Sequence, residues 1–193
     1  MRRLALAAFL AACLAGPAPA AEEGPAIATA ERLVAGAHGA LADPGLSEAA
    51  RGDALKTAVA EAFAFDVWER FLLGDRVDAF TSAERDRFRT LLPGFLADLY
   101  RNQFGKGLEA KPQIKDTRPA RRDILVRAGI PRANGGELPV DWRIRDFGDR
   151  GHLVIDVMVG GVSFLVLKRE EFAGILEREG PEGLLAFMER NSL

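Results

Sequence analysis

Few side chains in this sequence combine a reactive type with surroundings that suit catalysis. The two histidines are His38, in an Ala/Gly-rich segment, and His152, one residue after a glycine-containing turn sequence. Ser163 follows two glycines by one residue, but no G-x-S-x-G, H-E-x-x-H, G-x-G-x-x-G or Walker A pattern is present. We therefore expect no catalytic set, no metal site and no cofactor.

Two carboxylates stand apart because they are embedded in apolar runs. These are Asp66 and Asp156. A carboxylate in an apolar cavity can act as a general base, so a small isomerase or cyclase using Asp156 is one hypothesis for function. The alternatives are structural, since Asp66 can cap the helix that follows it and Asp156 can lie on the side of its strand away from the core.

The N-terminus has the three parts of a secretory leader. The basic "MRR" precedes the apolar "LALAAFLAACLA", and "APA" at 18–20 is an A-x-A cleavage site. We predict a signal peptide over 1–20, cleaved near Ala20, and export of a cysteine-free mature chain to a bacterial periplasm. Alternatively, "LAAC" is a lipobox that makes Cys13, the single cysteine of the sequence, a lipidated N-terminus.

The composition indicates one globular domain. The chain has 193 residues, 48% of them hydrophobic, which is enough for a sizeable core. A net charge of −2, without a long Lys/Arg run, argues against a nucleic-acid partner. We predict a flexible segment over 21–28, a single domain over 29–193, and a monomer.

The first half of the domain has helical periodicity. Residues 29–41 predict a first helix, and Ser47 is placed to cap a second. "FAFDVWERFLLG" predicts a short apolar helix that stops at Gly74. Thr81 and Glu84 form a capping box before a longer helix whose apolar residues follow i, i+3, i+4, i+7 spacing.

From Lys111 onward the apolar period changes to two, which is typical of strands. "LPVDWRIRDF" and "HLVIDVMV" alternate, the latter with Leu153, Ile155, Val157 and Val159 on one face. "NGG" and "GDRG" predict turns, and "KPQIKDTR" a further strand. A final helix follows, with a second short helix starting at Pro181. Helices followed by a meander of three or four strands predict an α+β fold, with helices packed on a curved antiparallel sheet.

Several motifs, taken in their order and spacing, resemble those of the periplasmic phospholipid-binding proteins of the MlaC type, also called the toluene-tolerance family. They are "FDVWERFLLG" with "TSAERDRFRTLLPGFLADLY", and "LPVDWRIR" with "HLVIDVMVGGVS". The resemblance covers about residues 30–190. The chain departs from the pattern at Val77, where an aromatic residue is usual, and at Pro93, which lies inside a helix and is expected to bend it. "LKREEF" resembles a hopanoid-associated branch.

The resemblance implies a nuclear-transport-factor-like cone with an apolar cavity between sheet and helices. It also implies a carrier, not an enzyme, that moves phospholipid or another apolar lipid such as a hopanoid between the inner and outer membranes. The implied partners are an inner-membrane ABC transporter complex and an outer-membrane lipoprotein complex. A non-lipid adaptor or scaffold of the envelope is a third hypothesis, beside carrier and enzyme.

Apolar side chains on a helix and on strands that face each other are predicted to line the cavity. The alternative for each of them is ordinary core packing. The predicted lipid-binding residues are Phe65, Leu72, Phe88, Leu91, Phe95, Leu99, Val126, Trp142, Ile144, Val157, Val162 and Phe164. Arg118, Arg121 and Arg122 are candidates for contact with a lipid phosphate at the mouth, or belong to a solvated face.

Overall fold

Helices occupy the first half of the chain, and a sheet followed by a helix occupies the second half. The computed structural model describes residues 23–104, 111–131 and 135–192. The helices are α1 (Glu23–Ala42), α2 (Glu48–Ala62), α3 (Phe65–Leu73), α4 (Ser82–Phe104) and α5 (Phe164–Arg190), with short 3-10 helices at Gly74–Ala79 and Gly148–Arg150. The strands are β1 (Gln113–Ala120), β2 (Asp123–Pro131), β3 (Glu137–Asp146), β4 (His152–Val159) and β5 (Val162–Ser163).

The five strands form one open antiparallel sheet in sequence order, β1-β2-β3-β4-β5. The predicted α+β fold is confirmed, with five strands where three or four were expected. The additional strand is β5, which a two-residue turn through Gly160 (φ 59°) and Gly161 (φ 85°) folds back onto β4. Positive φ at both turn residues is the geometry for which glycine is preferred.

The predicted helix boundary signals are present as hydrogen bonds. Ser47 Oγ accepts from the Ala50 N–H at 3.2 Å, which satisfies one free donor at the start of α2. The Thr81 N–H donates to Glu84 at 2.7 Å, and the Glu84 N–H donates to Thr81 Oγ1 at 3.3 Å, completing the capping box before α4. Gly74, with φ 53°, ends α3.

Three details of the elements differ from or refine the expectation. Residues 23–28, which were predicted to be a flexible segment, are the first turns of α1, with Ala26 fully buried. The last helix is interrupted at Gly180 (φ 66°), so a second helical part does begin at Pro181. The helix α4 continues through Pro93 to Phe104. The signal peptide, Cys13 and Asn134 of the "NGG" turn lie outside the described residues.

A bulge changes which residues of β4 share a face. Arg143 pairs with Asp156 but Ile144 pairs with Val154, so Ile155 is an extra residue in β4. The predicted alternation of Leu153, Ile155, Val157 and Val159 on one face is therefore wrong. The side chains that share the core-facing side with β3 are Val154, Val157 and Val159, whereas Leu153 lies opposite Arg145.

The helices cover one face of the sheet in two layers. α1 packs across β1 to β4, and its alanines Ala26, Ala30 and Ala37 are fully buried there. α3 and α5 pack against β4, whereas α4 packs mainly on α2 and α5. Among the described residues, no helix combines the length and the apolarity needed to cross a membrane.

The other face of the sheet carries arginines around buried carboxylates. Asp123, only 1% exposed, accepts hydrogen bonds from Arg143 and Arg145 at 2.6 Å each. Arg127 donates to both oxygens of Asp141, at 2.7 and 3.0 Å. Burial acts to raise the pKa of Asp123, but the bonds and charges of the two arginines outweigh it, and its pKa lies below its ordinary value of 3.8.

We predict that Asp123→Asn destabilises the fold by about 3 kcal/mol, because two guanidinium groups lose their shared carboxylate. Since the pKa of Asp123 is lowered in the folded state, its contribution is present above pH 3.8 and is lost as the pH falls through the folded-state pKa. Urea unfolding at neutral and acidic pH measures both effects. Asp78→Asn, at an exposed position, is the control; an equal loss in the control contradicts the prediction.

Candidate functional site: an apolar cavity beside strand β4

A small apolar cavity lies between β4, the second half of α4 and the start of α5. Its volume is about 30 Å³, and the surface that faces it is apolar. Its lining residues are Phe63, Leu96, Leu99, Tyr100, Val157, Val159 and Phe164. Ligand cavities for drug-sized molecules measure roughly 300–1,000 Å³, so this cavity must expand before it holds a ligand of that size.

The α2–α3 junction is fixed to the edge of β4 and brings Phe63 to the cavity. The Ala64 N–H donates to the Val154 carbonyl at 3.0 Å, and Phe63 forms a parallel bridge with Val154. This edge is available because β5 pairs only with Met158 and Val159 at the end of β4. The backbone bond therefore determines where Phe63 stands.

The start of α5 is fixed to the same strand by the carboxylate of Asp156. Its Oδ1 accepts from the Val157 N–H at 2.8 Å and the Leu165 N–H at 3.2 Å. Its Oδ2 accepts from the Ser163 hydroxyl at 2.7 Å. Ser163 caps α5 by accepting from the Val166 N–H at 3.1 Å, as a Ser N-cap does.

Burial raises the pKa of two groups at the cavity. Burial raises the pKa of Asp156, although the bonds from Ser163, Leu165 and Val157 act to lower it. Burial also raises the pKa of the Tyr100 hydroxyl, which therefore stays protonated at neutral pH. Tyr100 therefore adds no negative charge to the lining, and Asp156 is not one of the lining residues.

Three of the twelve predicted lipid-binding residues line this cavity. They are Leu99, Val157 and Phe164. Phe65 does not line the cavity but stacks on Phe63, which does, with ring centroids 6.1 Å apart. Val162 pairs with Val159 at the rim and is 57% exposed. Whether any of these residues contacts a ligand stays a prediction.

The predicted residues of α4 lie mainly against α5 instead of the sheet. Phe88 meets Phe172 edge to face at 6.1 Å, and Phe95 lies 5.5 Å from the same ring. Both side chains are at most 2% exposed. Leu91 packs on the same core and is partly buried. The structure therefore separates these side chains from the strands that they were expected to face.

The remaining predicted residues are core residues under other helices. Val126, Trp142 and Ile144 share the core-facing side of the sheet, which α1 crosses. They are at most 1% exposed, and Leu72 of α3 is 2% exposed. Trp142 is directly opposite Val157 in the β3–β4 ladder, so it supports the cavity wall from the side of β3.

Four lining residues were missed as candidates, namely Phe63, Leu96, Tyr100 and Val159. Leu96 and Tyr100 continue the apolar spacing of α4, and Val159 continues the alternation of β4, so periodicity held a signal for them. Phe63 had no such signal. Its position depends on the backbone bond between Ala64 and Val154, which joins segments far apart in sequence.

The charged candidates Asp66 and Arg118 have charged partners in the structure, and the other two arginines are exposed to solvent. Asp66 does not cap α3, whose N-cap Ala64 makes no side-chain bond; Asp66 pairs with Arg150 at 2.9 Å, which lowers the pKa of its carboxyl. Arg118 lies 3.7 Å from Asp141. Arg121 and Arg122 form the exposed turn between β1 and β2.

A larger depression of about 780 Å³ differs in chemistry from the apolar cavity. It is open to solvent and lies between α1, α2 and the end of α4. Its lining residues include Glu48, Arg51 and Arg101, whose charged ends are unsuited to hydrocarbon. Among the described residues, no group of three or more His, Cys, Asp or Glu side chains is arranged to hold a metal ion.

These features define an α+β protein with an open antiparallel sheet, a helical layer, and an apolar cavity between them. The chain belongs to the MlaC family, since the family model described as "MlaC protein" matches residues 32–190. The family resemblance seen in the sequence is thereby confirmed.

Comparison with solved structures agrees on the fold. The chain is similar to a phospholipid-binding protein from Ralstonia solanacearum that was solved in complex with a phospholipid. The TM-score is 0.70 at 18% sequence identity, over 89% of this chain and 97% of that one. Among curated proteins, none matches the sequence.

Stability measurements on two phenylalanines test which predicted residues are core and which line the cavity. Phe88→Ala should destabilise the fold by about 3–5 kcal/mol, because Phe88 is fully buried between aromatic rings. Phe164→Ala should cost less than about 1.5 kcal/mol, since Phe164 is partly exposed beside an existing cavity. Chemical unfolding measures both; equal losses contradict the assignment.

Proposed function

We propose that this protein is a lipid carrier that takes up phospholipid in the apolar cavity beside β4. The observation that carries the proposal is the cavity itself, whose lining is apolar and comes from four separate segments of the chain. Family membership supports it, as does the bound phospholipid of the Ralstonia solanacearum protein that shares the fold. An interior surface of this kind holds acyl chains and offers no reactive group to them.

Uptake requires the cavity to open. A volume of about 30 Å³ is too small for acyl chains, so α4 and the start of α5 must move away from β4. α4 packs mainly on other helices, and such packing can shift as a unit while the backbone ladder of the sheet stays intact. We infer that lipid enters between α4 and β4, with its tails toward the core and its headgroup in water.

The energetics favour a carrier that shields its cargo only in part. Each methylene kept from water contributes about 0.8 kcal/mol, so roughly 30 methylenes of a diacyl lipid represent about 24 kcal/mol. That sum exceeds the roughly 18–21 kcal/mol at which non-covalent affinities saturate. Partial shielding therefore suffices for transport and leaves release possible when a partner opens the cavity.

Family membership and the predicted leader sequence support a wider role in the cell envelope. We propose that the mature protein works in the periplasm and moves lipid between the inner and outer membranes. Its partners in this proposal are an inner-membrane ABC transporter complex and an outer-membrane lipoprotein complex. Phospholipid is the proposed cargo, and a hopanoid is the alternative that identification of bound lipid would reveal.

A carrier accounts for Asp156 better than an enzyme does. Both oxygens of the carboxylate are engaged, by Ser163 and by the Leu165 and Val157 N–H groups. A general base must lie within hydrogen-bond reach of its substrate, and Asp156 is not among the residues that line the cavity. The carboxylate is instead used to fix the start of α5.

We predict that Leu99→Asp abolishes lipid binding, because it places a short charged group on the wall of the cavity. Native mass spectrometry of the protein purified without detergent should show bound lipid in the unmodified protein and at least about tenfold less in the variant. Leu167→Asp introduces the same charge at a position that is 54% exposed and should retain lipid. A protein that carries no lipid before substitution overturns the proposed function.

Pro93→Ala tests whether the proline in α4 affects release. Proline removes the backbone bond to the Arg89 carbonyl and bends a helix, and Leu96, Leu99 and Tyr100 follow it on the cavity wall. We predict that alanine straightens α4 and changes the rate at which a fluorescent phospholipid leaves for acceptor vesicles. An unchanged rate together with unchanged helix geometry contradicts a role for Pro93 in gating.

A further inference from the structure

One partly buried carboxylate holds together two segments that border the cavity. Asp156 belongs to β4, and two of its three hydrogen-bond donors, Ser163 and Leu165, belong to the β5–α5 junction. Ser163 passes the connection on, since its oxygen accepts from the Val166 N–H. The first turn of α5 is therefore attached to the strand by side-chain bonds as well as by the short β4–β5 ladder.

The residue between the two donors is Phe164, which lines the cavity. Because Ser163 and Leu165 are held on either side of it, the backbone of Phe164 has a defined position relative to β4. The facing wall includes Val157 and Val159, which follow Asp156 on the same strand. The bonds to Asp156 thus determine the spacing between two walls of one cavity.

The turn does not need this carboxylate for its own geometry. Gly160 and Gly161 supply the positive φ angles of the turn, and Ser163 alone satisfies the Val166 N–H at the start of α5. Arg143, opposite Asp156 in the ladder, is already bonded to Asp123 at 2.6 Å. Removing a carboxylate from water costs free energy unless it is hydrogen-bonded. Asp156 accepts three hydrogen bonds, and two of them link β4 to the start of α5.

We propose that Asp156 is a positioning residue for the cargo: through Ser163 and Leu165 it holds Phe164 over the cavity and slows the release of lipid. This inference rests on the proposed carrier function and adds the residue that controls the mouth. Asp156 does not itself touch the lipid. Its effect passes through the aromatic side chain that it places.

The test measures release of a phosphatidylcholine with a fluorescent acyl chain from the purified protein to an excess of unlabelled phosphatidylcholine vesicles. Asp156→Asn replaces one acceptor oxygen with an amide group that cannot accept from the Ser163 hydroxyl. Ser163→Ala removes the donor. Each variant should release lipid about tenfold faster, since the loss of one such bond changes a barrier by about 1.4 kcal/mol.

Two further variants separate positioning from general loss of stability. Ser163→Thr keeps a hydroxyl and should restore slow release relative to Ser163→Ala. Asp141→Asn removes a buried carboxylate of β3 whose partners are Arg127 and Arg118, so it should lower stability without changing the release rate. Amide exchange at Leu165 and Val166 should rise in Asp156→Asn, while exchange in β2 stays unchanged.

The possible failures are distinguishable. If the unmodified protein takes up no labelled lipid, the carrier function is overturned, and the role of Asp156 with it. If it takes up lipid but Asp156→Asn and Ser163→Ala release at the original rate, the role of Asp156 alone is overturned. The same conclusion follows if Asp141→Asn accelerates release as much as Asp156→Asn does.

Discussion

Strand β4 is the element on which the arrangement of the helices around the cavity depends. Its edge is only partly covered by the two-residue β5, so unpaired backbone and side-chain acceptors remain for other partners. The α2–α3 junction uses one, through Ala64 and Val154, and the start of α5 uses another, through Asp156. Buried polar groups need partners, and satisfying those of β4 brings Phe63 and Phe164 to the two sides of one cavity.

The two faces of the sheet differ in the side chains that cover them. On the core-facing side, buried alanines of α1 allow a helix to lie close across four strands, and this contact fills the middle of the sheet with packed core. On the other side, buried Asp123 and Asp141 accept hydrogen bonds from arginines, and the partly exposed arginine side chains make that face polar. The apolar cavity consequently lies at the β4 edge, where the covering helix changes from α1 to α5, and not over the centre of the sheet.

Local signals predicted the elements well and the site less well. The capping box, the Ser47 cap, the stop at Gly74 and the break before Pro181 depend on interactions within a few residues, which is why they could be read directly. Phe88 and Phe95 were placed opposite strands because their period was helical and apolar. The same apolar period is also expected of a helix that packs on another helix. In the structure, Phe88 and Phe95 pack on Phe172 of α5 and not on the strands.

The sequence by itself determined the α+β class, the antiparallel meander, most helix boundaries and the family, because hydrophobic period, caps and turn residues act locally and motif order is linear. Tertiary structure decided which apolar side chains are core and which line a cavity, since both kinds share one pattern and differ only in what faces them. It also decided the bulge in β4 and the use of Asp156, because a register shift and a carboxylate's partners depend on contacts between segments that no local period specifies.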